Sequence, residues 1–343
     1  MSKTIGIVSL SSGILGEETL SHSLARGLAR LKACGVQVRF LPHALDGVSA
    51  LKEHPEHRAA DLIEAFRDPT IDMILCAIGG DDTYRLLPYL FDGDALRSVI
   101  CQKPFLGFSD TTINHLMLHK LGVRTCYGQS FLADVCELAP QMLPYTARYF
   151  EEWLCTGTVR RVTPSDVWYE ERDDFSPAQI DRPQPAHPND GFQLLQGSPV
   201  FSGRILGGCI DSMFDIFDGT RYVDMPALCR KYDLFPSPED WKGRILLLET
   251  SEELMPPEKY EKAVIALREA GVFSAVSGVL CGKPMNEAYD QEYREILLRV
   301  IGDPALPVVW NLNIGHATPR CILPFGVNAA VDATKQEIVF DAE

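Results

Sequence analysis

The chain has 343 residues, 46% apolar and 23% charged, which is long enough for two domains, each with its own core. Its formal net charge of −15 argues against a nucleic-acid-binding surface and supplies no polybasic patch for a membrane. That balance is also ordinary for a soluble enzyme of no particular class.

Residues 4–10 (TIGIVSL) read as a buried strand closed by the turn signal SSG, and residues 17–33 carry helical spacing with Leu20, Leu24, Leu28 and Leu31 on one side. VQVRFL (strand), RAADLIEAFRD (helix), IDMILCAIG (strand), TYRLLPYL (short helix), KPFLGFS (strand) and TTINHLMLHKLG (helix) follow. This alternation predicts a parallel α/β sheet, and no G-x-G-x-x-G follows the first strand to mark dinucleotide binding. Residues 156–200 turn charged, Pro-rich and irregular, as expected of a linker and substrate loop between an N-terminal region, 1–155, and a C-terminal one, 201–343. The latter runs through GRILLLET (strand), PPEKYEKAVIALREAG (helix), VSGVLCG (strand), NEAYDQEYREILLRVIG (helix), PVVWNLNIGH (strand) and a terminal β-hairpin.

Ten cysteines occur without a C-x-x-C pair, and Cys76 and Cys281 sit inside apolar runs. Buried free thiols in a reducing compartment fit this better than a disulfide framework or a zinc site. The N-terminus lacks a signal peptide's apolar region and cleavage site, and no uninterrupted apolar stretch reaches about 18 residues. A cytoplasmic protein with no membrane contact is expected.

Two stretches carry candidate chemistry. IGGDDT (residues 78–83) follows a buried strand, and its Gly pair lets the backbone approach a ligand closely while the following helix offers N–H groups to negative charge. That charge is either a phosphate, as in kinases with a Gly-Gly-Asp loop, or the oxyanion of a broken acyl bond. LGFSDTT (residues 106–112) runs from a strand through Ser109 directly into a helix, the layout of a nucleophile elbow, although the pattern is G-x-S-x-T and Ser109 also reads as a helix N-cap.

A Ser nucleophile needs a base, and the base an orienting group. His54 and His57 lie in a polar stretch, His187 in the Pro-rich loop, and His115 and His119 on one helix face without the Glu of H-E-x-x-H. His316 follows a strand and a Gly, at a strand end where catalytic groups gather. Glu249 closes the apolar run RILLL, and a carboxylate at the end of a buried strand is costly unless paired. Structural roles at a turn remain open for both.

LGFSDTT, LLLETSEE and NIGHATP, together with the upstream IGGDDT, resemble the LD-carboxypeptidase family of serine peptidases (S66), in the family's order along the chain. The resemblance extends from IGIVSLSSG through GRILGGCIDSM to LPFGVNAAVD. It implies an N-terminal parallel-sheet α/β domain carrying the nucleophile, a smaller β-rich C-terminal α/β domain, and an active site between them. It assigns Ser109 as nucleophile, Glu249 as acid and His316 as general base, with the backbone N–H groups of Asp110 and Gly80 as oxyanion donors. No metal or organic cofactor is implied, and family members are commonly homodimers. One branch removes D-Ala from murein tetrapeptides; the other resembles the microcin C immunity protein, which cleaves aminoacyl-nucleotides. Ile78, where murein-recycling members usually carry Arg, favours the immunity branch. Gly79, Asp81, Asp82 and the loop aromatic Trp168, with Tyr169 and Phe175, are the expected substrate contacts, the aromatics as platforms for a nucleobase.

Overall fold

The computed structural model describes residues 3–342. They form two compact units: residues up to Thr158 together with Arg172–Gln184, and Val159–Glu171 together with the chain from Pro185 onward.

The first unit contains β1 (Thr4–Val8), α1 (Ser21–Ala33), β2 (Gln37–Phe40), α2 (Val48–Glu53), α3 (Pro55–Arg67), β3 (Met73–Cys76), α4 (Leu87–Phe91), β4 (Phe105–Gly107), α5 (Thr111–Lys120), β5 (Thr125–Tyr127) and α6 (Pro144–Thr156). Its five strands pair in parallel in the order β2-β1-β3-β4-β5. Every residue of β3 and β4 is buried, as expected when helices cover both faces of a parallel sheet. The strand order reverses between β1 and β3, and such a switch point opens a crevice beyond the strands' carboxyl ends. TYRLLPYL, expected as one short helix, forms a 3₁₀ turn (Thr83–Leu86) running into α4.

The Leu spacing on α1 predicts the helix but not its deepest stripe, which is Ser23, Gly27 and Leu31. A side chain at Gly27 would collide with Cys136 and Phe131, so the missing Cβ lets the 131–135 turn lie directly on the helix. Neither β5 nor α6 is expected from the sequence: β5 is three residues long, too short for a periodicity to show.

The second unit contains β6 (Arg161–Val162), β7 (Val167–Tyr169), β8 (Ala186–Pro188), β9 (Gln193–Gln196), β10 (Val200–Cys209), α7 (Ile210–Asp215), α8 (Met225–Lys231), α9 (Pro238–Trp241), β11 (Ile245–Glu249), α10 (Pro257–Glu269), β12 (Gly278–Gly282), α11 (Asp290–Ile301), β13 (Val308–Leu312), β14 (Leu323–Phe325), β15 (Asn328–Asp332) and β16 (Glu337–Phe340). An eight-stranded sheet runs β6-β16-β15-β10-β11-β12-β13-β9. Its centre, β10 to β13, is parallel, and antiparallel strands close both sides. β15 and β16 make the terminal hairpin.

The stretch 156–200 is divided between the units. Arg172–Gln184 belongs to the first, where Arg172 pairs with Glu137 (2.8 Å) and Asp181 with Arg26. The remainder supplies β6 to β9 to the second. These strands escape a reading of periodicity because prolines and charges interrupt each after two to four residues. Among the described residues, no helix is long and apolar enough to cross a membrane.

Candidate active site

In the first unit, β4 ends at Gly107 and α5 begins at Thr111, leaving Ser109 in the turn between them with φ 65°. A left-handed non-Gly residue costs of order 1–3 kcal/mol and persists only where its surroundings impose it. Here the Ser109 N–H donates to the Tyr127 hydroxyl (3.1 Å), and its carbonyl accepts from the Thr112 N–H (2.8 Å) and hydroxyl (2.7 Å). The N-cap alternative fails: the residue at the cap of α5 is Asp110, and no side chain caps that helix. Ser109 therefore has the elbow geometry that presents its Oγ beyond the strand.

The Gly pair lies against this turn. A Cβ on Gly79 would sit 2.6 Å from Ser109 Cβ, 2.7 Å from its Oγ and 3.2 Å from the Asp110 nitrogen. Gly80 has φ +154°, and any side chain there would strike Ser11. The Ser12 N–H donates to the Gly79 carbonyl (3.0 Å), tying the loops after β1 and β3 together at the switch point. Asp110 turns its carboxylate away from the helix to accept from the Ser11 hydroxyl (2.6 Å) and the Thr83 N–H (3.0 Å). Burial outweighs those bonds and pushes Asp110 up to about 6.

Asp82 does not cap the helix that follows it; it is buried, and Arg58, itself without exposed side-chain surface, donates to its two oxygens at 2.5 and 3.3 Å. Its carboxylate braces the loop. Asp81 is exposed beside it. His115 is a core residue: Nε2 meets the Gly107 carbonyl (3.1 Å), Nδ1 meets the Thr125 hydroxyl (2.7 Å), and burial pushes it down to about 4.

In the second unit, Glu249 is the last residue of β11 and fully buried. Its Oε2 accepts from His316 Nδ1 (2.7 Å) and from the His316 backbone N–H (3.3 Å). This bond places the Nδ1 proton toward Glu249 and leaves Nε2 for acid–base work, the arrangement of an orienting carboxylate and a base. Space for it comes from two glycines: a Cβ on Gly282 would stand 2.8 Å from Glu249 Cβ, and one on Gly315 would overlap the carboxylate. Arg320 holds the turn by donating to the carbonyls of Gly315 and His316 (2.8 Å to the latter).

The sequence reading missed one partner of this pair. Glu252 Oε2 stands 2.9 Å from His316 Nε2. Burial alone would lower the His316 pKa, but Glu249 and Glu252 together overcome it and raise it to about 10; the bond to His316 holds Glu252 down at about 2. Tyr127, Ser11, Gly282 and Gly315 were missed as well. Glu252 lies within the quoted motif LLLETSEE, but nothing in its spacing tells it from Glu253, which pairs with Arg221.

Trp168 is buried, with His187 stacked on it at 4.5 Å between centroids and Lys283 Nζ 5.0 Å from the ring centre, so a nucleobase would share that ring with His187. Phe175 is exposed in the first unit, and the Tyr169 N–H donates to the Thr318 carbonyl (2.9 Å). Among the described residues, three groups of side chains bring potential metal ligands within 4.8 Å of one another: His43, Asp46 and His57; His54, Glu56 and His57; and Cys209, Glu249 and His316. In the last, burial holds the Cys209 thiol protonated, and Glu249 is engaged by the imidazole.

Models of the LD-carboxypeptidase N-terminal and C-terminal domains match residues 5–128 and 202–331. A carboxypeptidase-family protein of Vibrio cholerae is 30% identical over 282 residues, covering 80% of this chain and 76% of that one. The microcin C7 self-immunity protein MccF of Escherichia coli is 27% identical over 291 residues, 82% of this chain and 77% of its own. The crystal structure of an MccF-like protein from Streptococcus pneumoniae in complex with AMP matches with a TM-score of 0.98 at 59% identity, covering 99% of each chain. The chain therefore belongs to the LD-carboxypeptidase family, S66, and is a peptidase-type hydrolase with the two-domain MccF-like fold.

Proposed function

We propose that this hydrolase cleaves the acyl link of small aminoacyl- or peptidyl-nucleotides with a Ser109–His316–Glu249 triad, as a self-immunity or detoxifying enzyme. The observation that carries the substrate class is the 59% identity, across 99% of both chains, to an MccF-like protein whose structure holds AMP. Ile78 ahead of the Gly pair supports the same branch over murein peptides.

In this reading Ser109 Oγ attacks the acyl carbonyl while His316 Nε2 takes its proton, and Glu249 steadies the imidazolium through Nδ1. The developing O⁻ is held by the backbone N–H groups of Asp110 and Gly80; removing one such donor typically costs about 3–4 kcal/mol of transition-state stabilisation. The tetrahedral intermediate collapses as His316 returns the proton to the departing nitrogen, and water then releases the acyl group from Ser109 by the same sequence. Support comes from each unit by itself: the elbow backbone of Ser109 packed on Gly79, and the buried Nδ1–Glu249 bond.

Purified protein offered aspartyl-sulfamoyl adenosine and a murein tetrapeptide side by side tests it. Cleavage of the nucleotide analogue, abolished in Ser109→Ala, is the expected result. Release of D-Ala from the tetrapeptide with the analogue untouched would assign the enzyme to the murein branch instead.

A further inference from the structure

The two carboxylates on His316 differ in kind. Glu249 has no exposed side-chain surface, whereas Glu252 is 64% exposed and sits in the loop after β11. The other charged or titratable neighbours are committed elsewhere. Asp211 accepts from the Ser251 N–H (3.0 Å) and is kept up by burial, Cys209 is a protonated thiol, and Arg320 is bound to two carbonyls and to Glu171 (3.1 Å).

Nε2 is the atom that has to receive the Ser109 proton, yet Glu252 already occupies it. With a carboxylate on each nitrogen the ring holds both protons. The two carboxylates hold the imidazole well above its ordinary range. The free enzyme is thus latched in a non-basic state, and Glu252 has to leave before His316 can act. When the ring then gives up its proton, Glu249 and Glu252 are left facing each other across it, offset by the field of Arg320, which is itself paired with Glu171. A positive group on the substrate would answer that charge. In an aminoacyl compound the α-ammonium lies about 2.5 Å from the scissile carbonyl carbon by ordinary bond lengths. Reacting atoms stand about 3–3.5 Å apart and the base about 2.6–3.2 Å from the nucleophile, so in the proposed reaction, with Glu252 Oε2 2.9 Å from Nε2, these distances allow that ammonium to meet the Glu252 carboxylate.

We propose that Glu252 is a specificity-determining latch: it holds His316 until a substrate with a free α-ammonium beside the scissile carbonyl draws the carboxylate away and frees Nε2. This rests on the aminoacyl-nucleotide reading for its substrate half. The exchange balances, because the ammonium enters as one cation and the Nε2 proton leaves to water as another.

Two measurements test it. In protein with isotopically labelled histidine, NMR titration of His316 in Glu252→Gln should fall by about one pH unit or more relative to wild type. An unchanged titration overturns the latch. In the non-cleaving Ser109→Ala background, calorimetry in buffers of different ionisation enthalpy compares aspartyl-sulfamoyl adenosine with its analogue lacking the α-amine. The amine-bearing ligand should bind about tenfold tighter or better and release close to one proton. Adding Glu252→Gln should abolish both the preference and the proton release. A preference that survives that substitution overturns the ammonium assignment. Should neither ligand bind while the titration still shifts, the latch stands and the aminoacyl-nucleotide reading falls.

Discussion

Gly79→Ala tests the positioning of the nucleophile in isolation. Gly79 is not among the left-handed glycines, so Ala adds no backbone strain and the whole effect is steric. The new methyl would begin 2.6 Å from Ser109 Cβ, where ordinary contact starts at 3.4 Å, so the two must separate by about 0.8 Å or more. Ser109 cannot yield cheaply, because Tyr127 and Thr112 pin its backbone on both sides. Displacing a reacting group by about 1 Å costs roughly 10²-fold in rate, which is about 2.7 kcal/mol of transition-state stabilisation. The overpacking itself costs about 1–3 kcal/mol of stability, too little to unfold a chain of this size. The assay is initial-rate kcat/KM on the responsive substrate, with thermal melting followed by circular dichroism on the same samples. A fall of about 100-fold with a cooperative melt is expected. Activity within about threefold of wild type would refute the reasoning. Ser109→Ala run alongside then identifies the fault: if it is dead, Ser109 is the nucleophile and the Gly79 contact is wrong; if it too is active, Ser109 is not the nucleophile.

Arg58→Met leaves buried Asp82 with Arg85, 3.7 Å away, as its remaining cation and should cost about 3 kcal/mol in urea denaturation, with Arg58→Met/Asp82→Leu less destabilised than the single variant; a loss under about 0.5 kcal/mol would dismiss the pair. Asp110 has a folded pKa raised to about 6, so the stability it confers is present below the usual carboxylate range and lost as pH rises through 6. Asp110→Asn should accordingly gain on wild type between about pH 4 and pH 6 and hold that gain above, and a pH-independent difference would contradict this. His316, raised to about 10, gives stability that is complete below about 6.5 and lost as pH rises through 10. Glu249→Gln should trail wild type by about 3–5 kcal/mol at pH 7, the gap narrowing as pH rises from about 6.5 to about 10, and a constant gap across that range would argue against the Glu249–His316 bond as its source.

The parallel sheets were legible because buried strands in α/β units read as unbroken apolar runs, as MILC in β3 and ILLLE in β11 do. Motif order along the chain then singled out Ser109, Glu249 and His316 as candidates. What escaped is whatever depends on neighbours distant in sequence. Tyr127 reaches the Ser109 N–H from a three-residue strand with no periodicity, and Ser11 finds Asp110 across 99 residues. Asp82 reads locally as a substrate-pocket acid, and only the fold brings a buried guanidinium to it. Glu252 and Glu253 are identical in type and adjacent in sequence, yet one faces His316 and the other Arg221; the turn after β11 separates them, and composition does not encode that turn.

The two units solve the same problem by the same device. In the first, β3 and β4 are parallel neighbours, and the Gly that follows β3 clears the space taken by the Ser that follows β4. In the second, β11 and β12 are parallel neighbours, and Gly282 at the end of β12 clears the space taken by Glu249 at the end of β11 and by the Ile314 carbonyl. Carboxyl ends of parallel strands are where open α/β sheets collect ligands, since loops can diverge there without breaking the ladder. They are also crowded, because adjacent strands lie only about 4.8 Å apart. A side chain that must project from one strand end into that space needs its neighbour's end to be bare. The glycines beside Ser109 and Glu249 are therefore part of the placement of both residues. A chain that kept Ser109, Glu249 and His316 but filled Gly79 or Gly282 would be expected to lose the geometry while retaining all three side chains.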